Sequence, residues 1–147
     1  MKKALIKTGH FNIEIDFLDT YTAKVIYSKL PIVGNINFWG NEVYFYTDLK
    51  IKIEKEARQI VEKGEIAYWP QGDAIAIGYG ATPISINQEI RLASDCNIWA
   101  KTQFELEQLN SLKEQQEILI TNEKKFTLKI LFCSNCRSGQ IKKIVNI

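Results

Sequence analysis

GEIAYWPQGDAIAIGYGATPIS, residues 64–85, contains two apolar runs separated by a Trp-Pro-Gln-Gly-Asp segment. Both runs are short and rich in Ile, Ala and aromatic residues, which is typical of strands. Pro70 and Gly72 are residues that favour tight turns. The stretch therefore predicts strands at residues 66–69 and 74–79 that are joined by a turn.

An upstream stretch, INFWGNEVYFYT at residues 36–47, has the same organisation. Apolar and aromatic residues at 36–39 and 43–46 predict two strands, and Gly40-Asn41 between them predicts the turn. Neither stretch contains a recognisable catalytic set. Together they indicate an antiparallel sheet made of short strands.

The first thirty residues predict a hairpin followed by a helix. Hydrophobic and polar side chains alternate over residues 11–17, as in a half-buried strand, and residues 4–6 predict its partner. A helix should follow, with Thr20 or Thr22 as its N-cap. Pro31 should end it, because the residue before proline avoids the helical region.

A second helix is predicted after a strand at residues 96–101. Thr102 and Glu105 have the spacing of a capping box, and Leu106, Leu109 and Leu112 share one face. The remaining strands are less clearly marked. We expect them at residues 50–55, 117–121 and 126–132, with a loop after the first; a short helix that ends at Gly64 is the alternative for residues 54–63.

Seven or eight short strands with two helices predict a mainly all-β fold, a closed antiparallel β-barrel with two capping α-helices. The chain has 147 residues, of which 46% are hydrophobic, so it is long enough to bury one core. We expect one domain at residues 1–121. We expect residues 122–147 to form a C-terminal extension with one extra strand and a basic tail.

The charge distribution argues against nucleic acid as a partner. The formal net charge is only +2, and residues 1–121 hold 13 basic and 16 acidic side chains. Residues 122–147 hold 6 basic side chains and 1 acidic one. Nucleic-acid binding requires clustered Lys and Arg on a folded face. We interpret the basic end as a solvated segment.

The sequence also bears on location. The first residues lack the sustained apolar run of a signal peptide, and no run is long enough to cross a membrane. The 3 cysteines are an odd number and fit a reducing compartment. We therefore expect a cytoplasmic protein with no membrane partner.

Three segments resemble the cyclophilin-like domain family of small bacterial and archaeal proteins. They are NFWG with EVYF at residues 37–45, GEIAYWP at residues 64–70 with Gly72, and YGATPIS at residues 79–85. The resemblance extends over residues 1–121. It implies a cyclophilin-type closed β-barrel with two capping helices, in a family whose members are mostly uncharacterised.

The resemblance also shows where this chain departs from true cyclophilins, which isomerise prolyl peptide bonds. Their first half carries Phe-His-Arg followed by Phe-Met-x-Gln-Gly, whereas residues 36–47 here contain neither Arg nor His. The isomerase reaction needs a cation that stabilises a twisted amide. A retained scaffold with changed or absent chemistry is what the resemblance implies.

Aromatic residues near the turns are the best candidates for a ligand groove, because amphipathic rings suit peptide and small-molecule sites. Core packing is the alternative for each of them, including Tyr68. Arg91 is the one arginine near the loop after the second strand pair; it either anchors a ligand or pairs with Glu89 or Asp95. The predicted ligand-binding residues are Trp39, Tyr44, Trp69, Gln71, Tyr79 and Arg91.

No catalytic, metal or cofactor site can be assigned. His10 is the only histidine and lies at a predicted turn. Cys133 and Cys136 form a lone C-x-x-C, whereas a structural zinc site needs four ligands. Gly78-x-Gly80 lacks the third glycine of a phosphate-binding loop. We expect no cofactor and no bound metal.

Three functions remain open from the sequence. The first is a binding module that accepts a peptide or a small molecule in an aromatic-lined groove. The second is an active peptidyl-prolyl isomerase with a relocated cation, for which Arg91 is the candidate. The third is a structural role in which residues 122–147 donate a strand to another subunit of a homo-oligomer.

Overall fold

The computed structural model of the chain describes residues 2–122, which form ten strands, one α-helix and one short 3₁₀ helix. In chain order the elements are β1 (Lys3–Thr8), β2 (Phe11–Phe17), α1 (Tyr21–Lys29), β3 (Ile32–Asn35), β4 (Asn37–Phe38), β5 (Glu42–Tyr46), β6 (Arg58–Val61), β7 (Glu65–Trp69), β8 (Ala74–Gly78), β9 (Ile90–Lys101), the 3₁₀ helix (Leu106–Ser111) and β10 (Glu117–Thr121).

The strands form a nearly closed antiparallel barrel, in agreement with the predicted fold class. Their order is β3-β10-β1-β2-β9-β7-β8-β5-β4, and β6 pairs with β9 outside this path. The two ends of the order approach each other where Gly34 faces Phe45. A Cβ atom on Gly34 would lie 2.6 Å from the Phe45 ring. Glycine at this position therefore lets β3 approach β5.

The predicted N-terminal hairpin and first helix are confirmed. β1 and β2 pair along their length, with Gly9 in the turn at a φ of 57°. Helix α1 begins after Thr20, whose hydroxyl accepts a hydrogen bond from the Ala23 N–H at 3.1 Å. It ends at Lys29, before Pro31. Of the two threonines proposed as caps, Thr20 is the one that caps the helix.

The strand predicted at residues 50–55 is wrong; the strand in this part of the chain is β6, which begins at Arg58. The backbone of the predicted segment is bound by distant side chains instead of a neighbouring strand. The Tyr68 hydroxyl accepts from the Ile51 N–H at 3.1 Å, and the Asn97 amide oxygen accepts from the Glu54 N–H at 2.8 Å. A strand was therefore not needed to satisfy these groups.

The second predicted helix exists, but as a 3₁₀ helix without the expected capping box. Glu105 precedes it and makes no side-chain cap hydrogen bond. The Thr102 hydroxyl instead donates to the Glu14 carbonyl at 2.8 Å. The buried face is as predicted, with Leu106 and Leu109 in the core. A spacing of three residues suits a 3₁₀ helix, in which positions i and i+3 eclipse.

The structure differs from the predicted strands at three further places. β9 begins at Ile90, six positions before the predicted strand. β3 was not predicted at all; it is a short strand that pairs with β10. The strand predicted at residues 126–132 and the rest of the extension lie outside the described residues. Within the described part of the chain, neither helix is long and apolar enough to span a bilayer.

The turn between β7 and β8 organises the loop after β5. Oδ1 of Asp73 accepts hydrogen bonds from the Tyr68 hydroxyl at 2.6 Å, the Thr47 hydroxyl at 2.7 Å, and the Leu49 and Lys50 N–H groups at 3.2 Å. Burial acts to raise the pKa of Asp73, but these hydrogen bonds outweigh it and hold the pKa below its ordinary value. The carboxylate is therefore a structural anchor for residues 47–50.

Asp73→Ala should lower the free energy of unfolding by about 3 kcal/mol, because several charge-assisted hydrogen bonds are lost together. The carboxylate's contribution is present above the ordinary aspartate pKa and is lost as the pH falls through its lowered value. Urea denaturation at neutral and acid pH measures both effects. Asp48→Ala is the matched control, since the Asp48 side chain is 90% exposed. Equal destabilisation by the two variants would contradict this role.

Candidate functional site

Strand β8 carries large side chains on the inner face of the barrel and small ones on the outer face. Ile75 and Ile77 belong to the main core, whereas Ala76 belongs to a second apolar cluster outside the barrel wall. Ala74 and Gly78 alternate with the inward isoleucines in the same way as Ala76. The small residues leave a furrow along the outer face of this strand.

The neighbouring strands place larger side chains along both sides of the furrow. On β5, Tyr44 lies opposite Ala76 and Glu42 lies opposite Gly78. On β7, Trp69 lies opposite Ala74. Since side chains of directly paired residues project on the same face of a sheet, these three side chains border the furrow.

The turn before β5 holds Trp39 and Glu42 in place. The Trp39 N–H donates to the Glu42 carbonyl at 2.9 Å, and Gly40 between them has a φ of 60°. The Asn41 N–H donates to the Ala81 carbonyl at 2.9 Å. A Cβ atom on Gly40 would lie 2.9 Å from that same carbonyl oxygen. A glycine is thus required here on both conformational and steric grounds.

The ring of Trp69 is fixed by contacts on its polar edge and on one side. Its indole N–H donates to the Ser94 hydroxyl at 2.6 Å, and that hydroxyl donates to the Gln71 amide oxygen at 3.0 Å. A Cβ atom on Gly72 would lie 2.1 Å from the indole ring. Gly72 therefore provides the space in which the ring lies.

Together these residues line a cavity of about 260 Å³ on the outer face of the barrel. Four aromatic side chains line it, and the small and aliphatic side chains of β8 and β9 complete it. We call it the aromatic cavity. Its residues with aromatic or titratable side chains are Trp39, Glu42, Tyr44, Tyr46, Trp69 and Cys96.

Glu42 is the one carboxylate in the lining of the aromatic cavity, and it is only 6% exposed. Its Oε1 atom is buried and has no hydrogen-bond partner. Burial raises the pKa of Glu42 to about 8, because a desolvated carboxylate without a counter-ion is costly to ionise. No Lys, Arg or His is among the described residues that line the cavity.

Cys96 and Tyr44, the titratable side chains next to Glu42, hold their protons at neutral pH. Burial, with a smaller effect from Glu42, raises the pKa of Cys96 to about 12. Its thiol donates to the Ser94 carbonyl at 3.3 Å. Burial also raises the pKa of Tyr44. Because a thiol must ionise to be an effective nucleophile, Cys96 is not an activated one.

Three of the six predicted ligand-binding residues line the aromatic cavity: Trp39, Tyr44 and Trp69. Gln71 lies beside it, at a more open depression of about 750 Å³. The Ser94 hydroxyl connects Gln71 to Trp69. The structure thus brings together the residues of the two Trp-containing turns.

Tyr79 and Arg91 lie elsewhere. Tyr79 is 3% exposed and packs in the main core, where its hydroxyl donates to the Asn110 amide oxygen at 2.7 Å. Arg91 forms the ion pair with Glu89 that was its alternative interpretation, with Nε 2.5 Å from the carboxylate. Tyr68 is fully buried in the main core. None of the three lines the aromatic cavity.

Glu42, Tyr46 and Cys96 line the cavity but were not predicted. Alternation over EVYFY places residues 42, 44 and 46 on one face, so the proximity of Tyr46 to Tyr44 could have been found from the pattern. The burial of Glu42 could not, because it depends on side chains that β8 and β9 bring from later in the sequence. Cys96 carries no local signal of its position.

Other polar clusters among the described residues have structural partners. The Glu54 carboxylate accepts from the N–H and the hydroxyl of Thr22, and the Asn97 amide donates to that hydroxyl at 3.0 Å. Arg58 pairs with Glu65 at 2.5 Å. Within residues 2–122 no group of three His, Cys, Asp or Glu side chains is arranged to hold a metal ion.

Glu42→Gln should change how stability depends on pH. The pKa of Glu42 is about 8 in the folded chain and near 4.5 in the unfolded chain, so between these values only the folded chain retains the proton. The free energy of unfolding therefore falls as the pH rises, by up to about 1.4 kcal/mol per pH unit. The glutamine variant lacks this decrease.

Urea denaturation of both proteins at pH values between these two pKa values measures the effect. Glu117→Gln, at an exposed glutamate on β10, controls for the change in net charge. The difference in stability between Glu42→Gln and the wild type should grow with pH in favour of the variant. A constant difference would mean that Glu42 ionises normally.

Comparison with known proteins agrees with this architecture. The sequence matches the cyclophilin-like family over residues 2–121. The fold is similar to the solution structure of the hypothetical protein AF2241 from Archaeoglobus fulgidus, with a TM-score of 0.69 and 28% identity over 82% of this chain and 94% of that one. No protein with a curated description matches significantly. The chain belongs to the cyclophilin-like family.

Proposed function

We propose that this protein is a binding module that takes a small molecule, or one side chain of a peptide, into the aromatic cavity. The observation that carries the proposal is the lining itself: four aromatic side chains around one buried carboxylate whose Oε1 lacks a partner. Ligand sites are typically apolar and aromatic with a few polar groups that orient the ligand.

The size of the cavity limits what it accepts. Its volume of about 260 Å³ is near the lower end of the range of about 300–1,000 Å³ that is usual for small-molecule sites. A compact ligand or a single side chain fits this space. The unpaired Glu42 oxygen favours a ligand that offers a hydrogen-bond donor or a positive charge, because a buried acceptor without a partner is costly.

The arrangement supports binding better than catalysis. A prolyl isomerase that used Arg91 would need the guanidinium group at the cavity, whereas Arg91 is paired with Glu89. The isomerase alternative therefore has no observation in its favour. Strand donation by residues 122–147 concerns a segment outside the described residues and stays a prediction.

A screen of small molecules and short peptides should yield ligands that raise the melting temperature by mass action. Tyr44→Ala should lower the affinity for such a ligand at least tenfold, since loss of an aromatic wall removes about 1.4 kcal/mol or more of contact energy. Tyr21→Ala, at a tyrosine that is 67% exposed and outside the cavity lining, should leave the affinity unchanged.

Thermal-shift measurements followed by calorimetric titration of each hit provide these values. Hits that Tyr21→Ala and Tyr44→Ala weaken equally would contradict binding in the aromatic cavity. A proline-peptide assay in the same protein tests the isomerase alternative. Rate enhancement that Arg91→Ala abolishes would favour that alternative over ours.

A further inference from the structure

We propose that the ligand of the aromatic cavity carries a methylated ammonium group, held between aromatic rings with its positive charge against the Glu42 carboxylate. This inference rests on the proposed binding function and specifies the chemical class of the ligand.

The described lining of the cavity contains one carboxyl group and no positively charged group. Glu42 is buried and its Oε1 has no partner. Two further carboxylates act on the lining residues, since Glu114 contributes to the raised pKa of Tyr44 and Asp95 to that of Cys96. A cationic ligand would supply the counter-ion that the described lining does not contain.

The walls provide the second argument. The rings of Tyr44 and Tyr46 lie at 89° to each other with centroids 5.7 Å apart, and the indoles of Trp39 and Trp69 line the same cavity. Aromatic faces attract cations through their quadrupoles, and this attraction is strongest where water is excluded. Cages of this composition are suited to ammonium groups whose hydrogens are replaced by methyl groups.

Hydrogen-bonding capacity distinguishes methylated from primary ammonium groups. A primary ammonium group has three N–H donors, each of which needs an acceptor when it is desolvated. Indole groups are donors only, and the Trp69 N–H is already bound to Ser94. Glu42 Oε1 is the one buried acceptor without a partner in the described lining. A fully methylated ammonium group has no N–H donors, so it needs a nearby negative charge but no further hydrogen-bond acceptors.

Binding of a permanent cation should displace the proton of Glu42 into solvent. The affinity should then rise with pH while Glu42 ionises, by about tenfold per pH unit below the carboxyl pKa. The adjacent titratable groups on β5 and β9, Tyr44 and Cys96, have raised pKa values and stay protonated over this interval. The other titratable groups near the lining are Tyr46, Glu114 and Asp95.

The test compares choline with 3,3-dimethyl-1-butanol, in which a neutral carbon replaces the charged nitrogen. Indole N–H signals of the full chain are followed by NMR during both titrations. Choline should change the chemical shifts of the Trp39 and Trp69 indole N–H groups. The shift of the Trp99 indole N–H should stay unchanged, because Trp99 is buried in the main core. The neutral alcohol should bind at least tenfold more weakly at a pH above that at which Glu42 ionises.

Glu42→Gln should lower the affinity for choline at least tenfold at that pH. It should not lower the affinity for the alcohol. Glu117→Gln, with the same change in net charge, should have no effect on either. If a variant does not fold, the comparison of choline with the alcohol on the wild-type chain still tests the inference. Equal binding of choline and the alcohol would overturn the inference, as would full choline affinity in Glu42→Gln.

The outcomes also separate this inference from the function on which it rests. Neutral ligands that bind in the aromatic cavity while choline does not would overturn the ammonium class and leave the binding function in place. Absence of any ligand would overturn both. A blocked trimethyl-lysine peptide extends the test: tighter binding than choline identifies a peptide source, and equal binding identifies a free small molecule.

Discussion

The alternation of large and small residues on β8 is the constraint on which both the core and the cavity depend. Ile75 and Ile77 fill the barrel from this strand, and they require that the intervening positions face outward. Because those positions are alanine or glycine, neighbouring side chains can approach closely from outside. A Cβ atom on Gly78 would lie 2.6 Å from Ile90. One strand thus determines the barrel interior and the furrow outside it.

The two Trp-containing turns place an indole at each side of that furrow and so complete the lining of the aromatic cavity. Gly40 and Gly72 each occupy a position where a side chain would collide, with the Ala81 carbonyl in one case and the Trp69 ring in the other. The turns are therefore specified by sterics as well as by local propensity. The buried Glu42 carboxyl is destabilising in this setting, which is a common property of sites whose partner arrives from outside.

The local sequence pattern predicted those elements whose backbone hydrogen bonds form within the element or with the next strand along the chain. The first hairpin, helix α1 with a threonine cap at position 20 or 22, and the β7–β8 pair were predicted for this reason. Pattern failed over residues 50–55, where three backbone N–H groups are bound by the side chains of Tyr68, Asp73 and Asn97 from later in the chain. At the site, aromatic residues at turns were predicted. The buried state of Glu42 depends on side chains that β8 and β9 contribute from later in the sequence, and it has no local signal.

The chemical character of the aromatic cavity depends most on the ionisation of Glu42, which can be observed directly. Carbon-13 NMR of the Glu42 side-chain carboxyl, followed across a pH titration of the unliganded chain, reports its pKa without reference to stability or to a ligand. We expect the pKa of Glu42 to be about 8, as burial without a counter-ion requires. A midpoint in the ordinary range of glutamate would contradict a desolvated, unpartnered carboxyl and with it the chemical character assigned to the cavity.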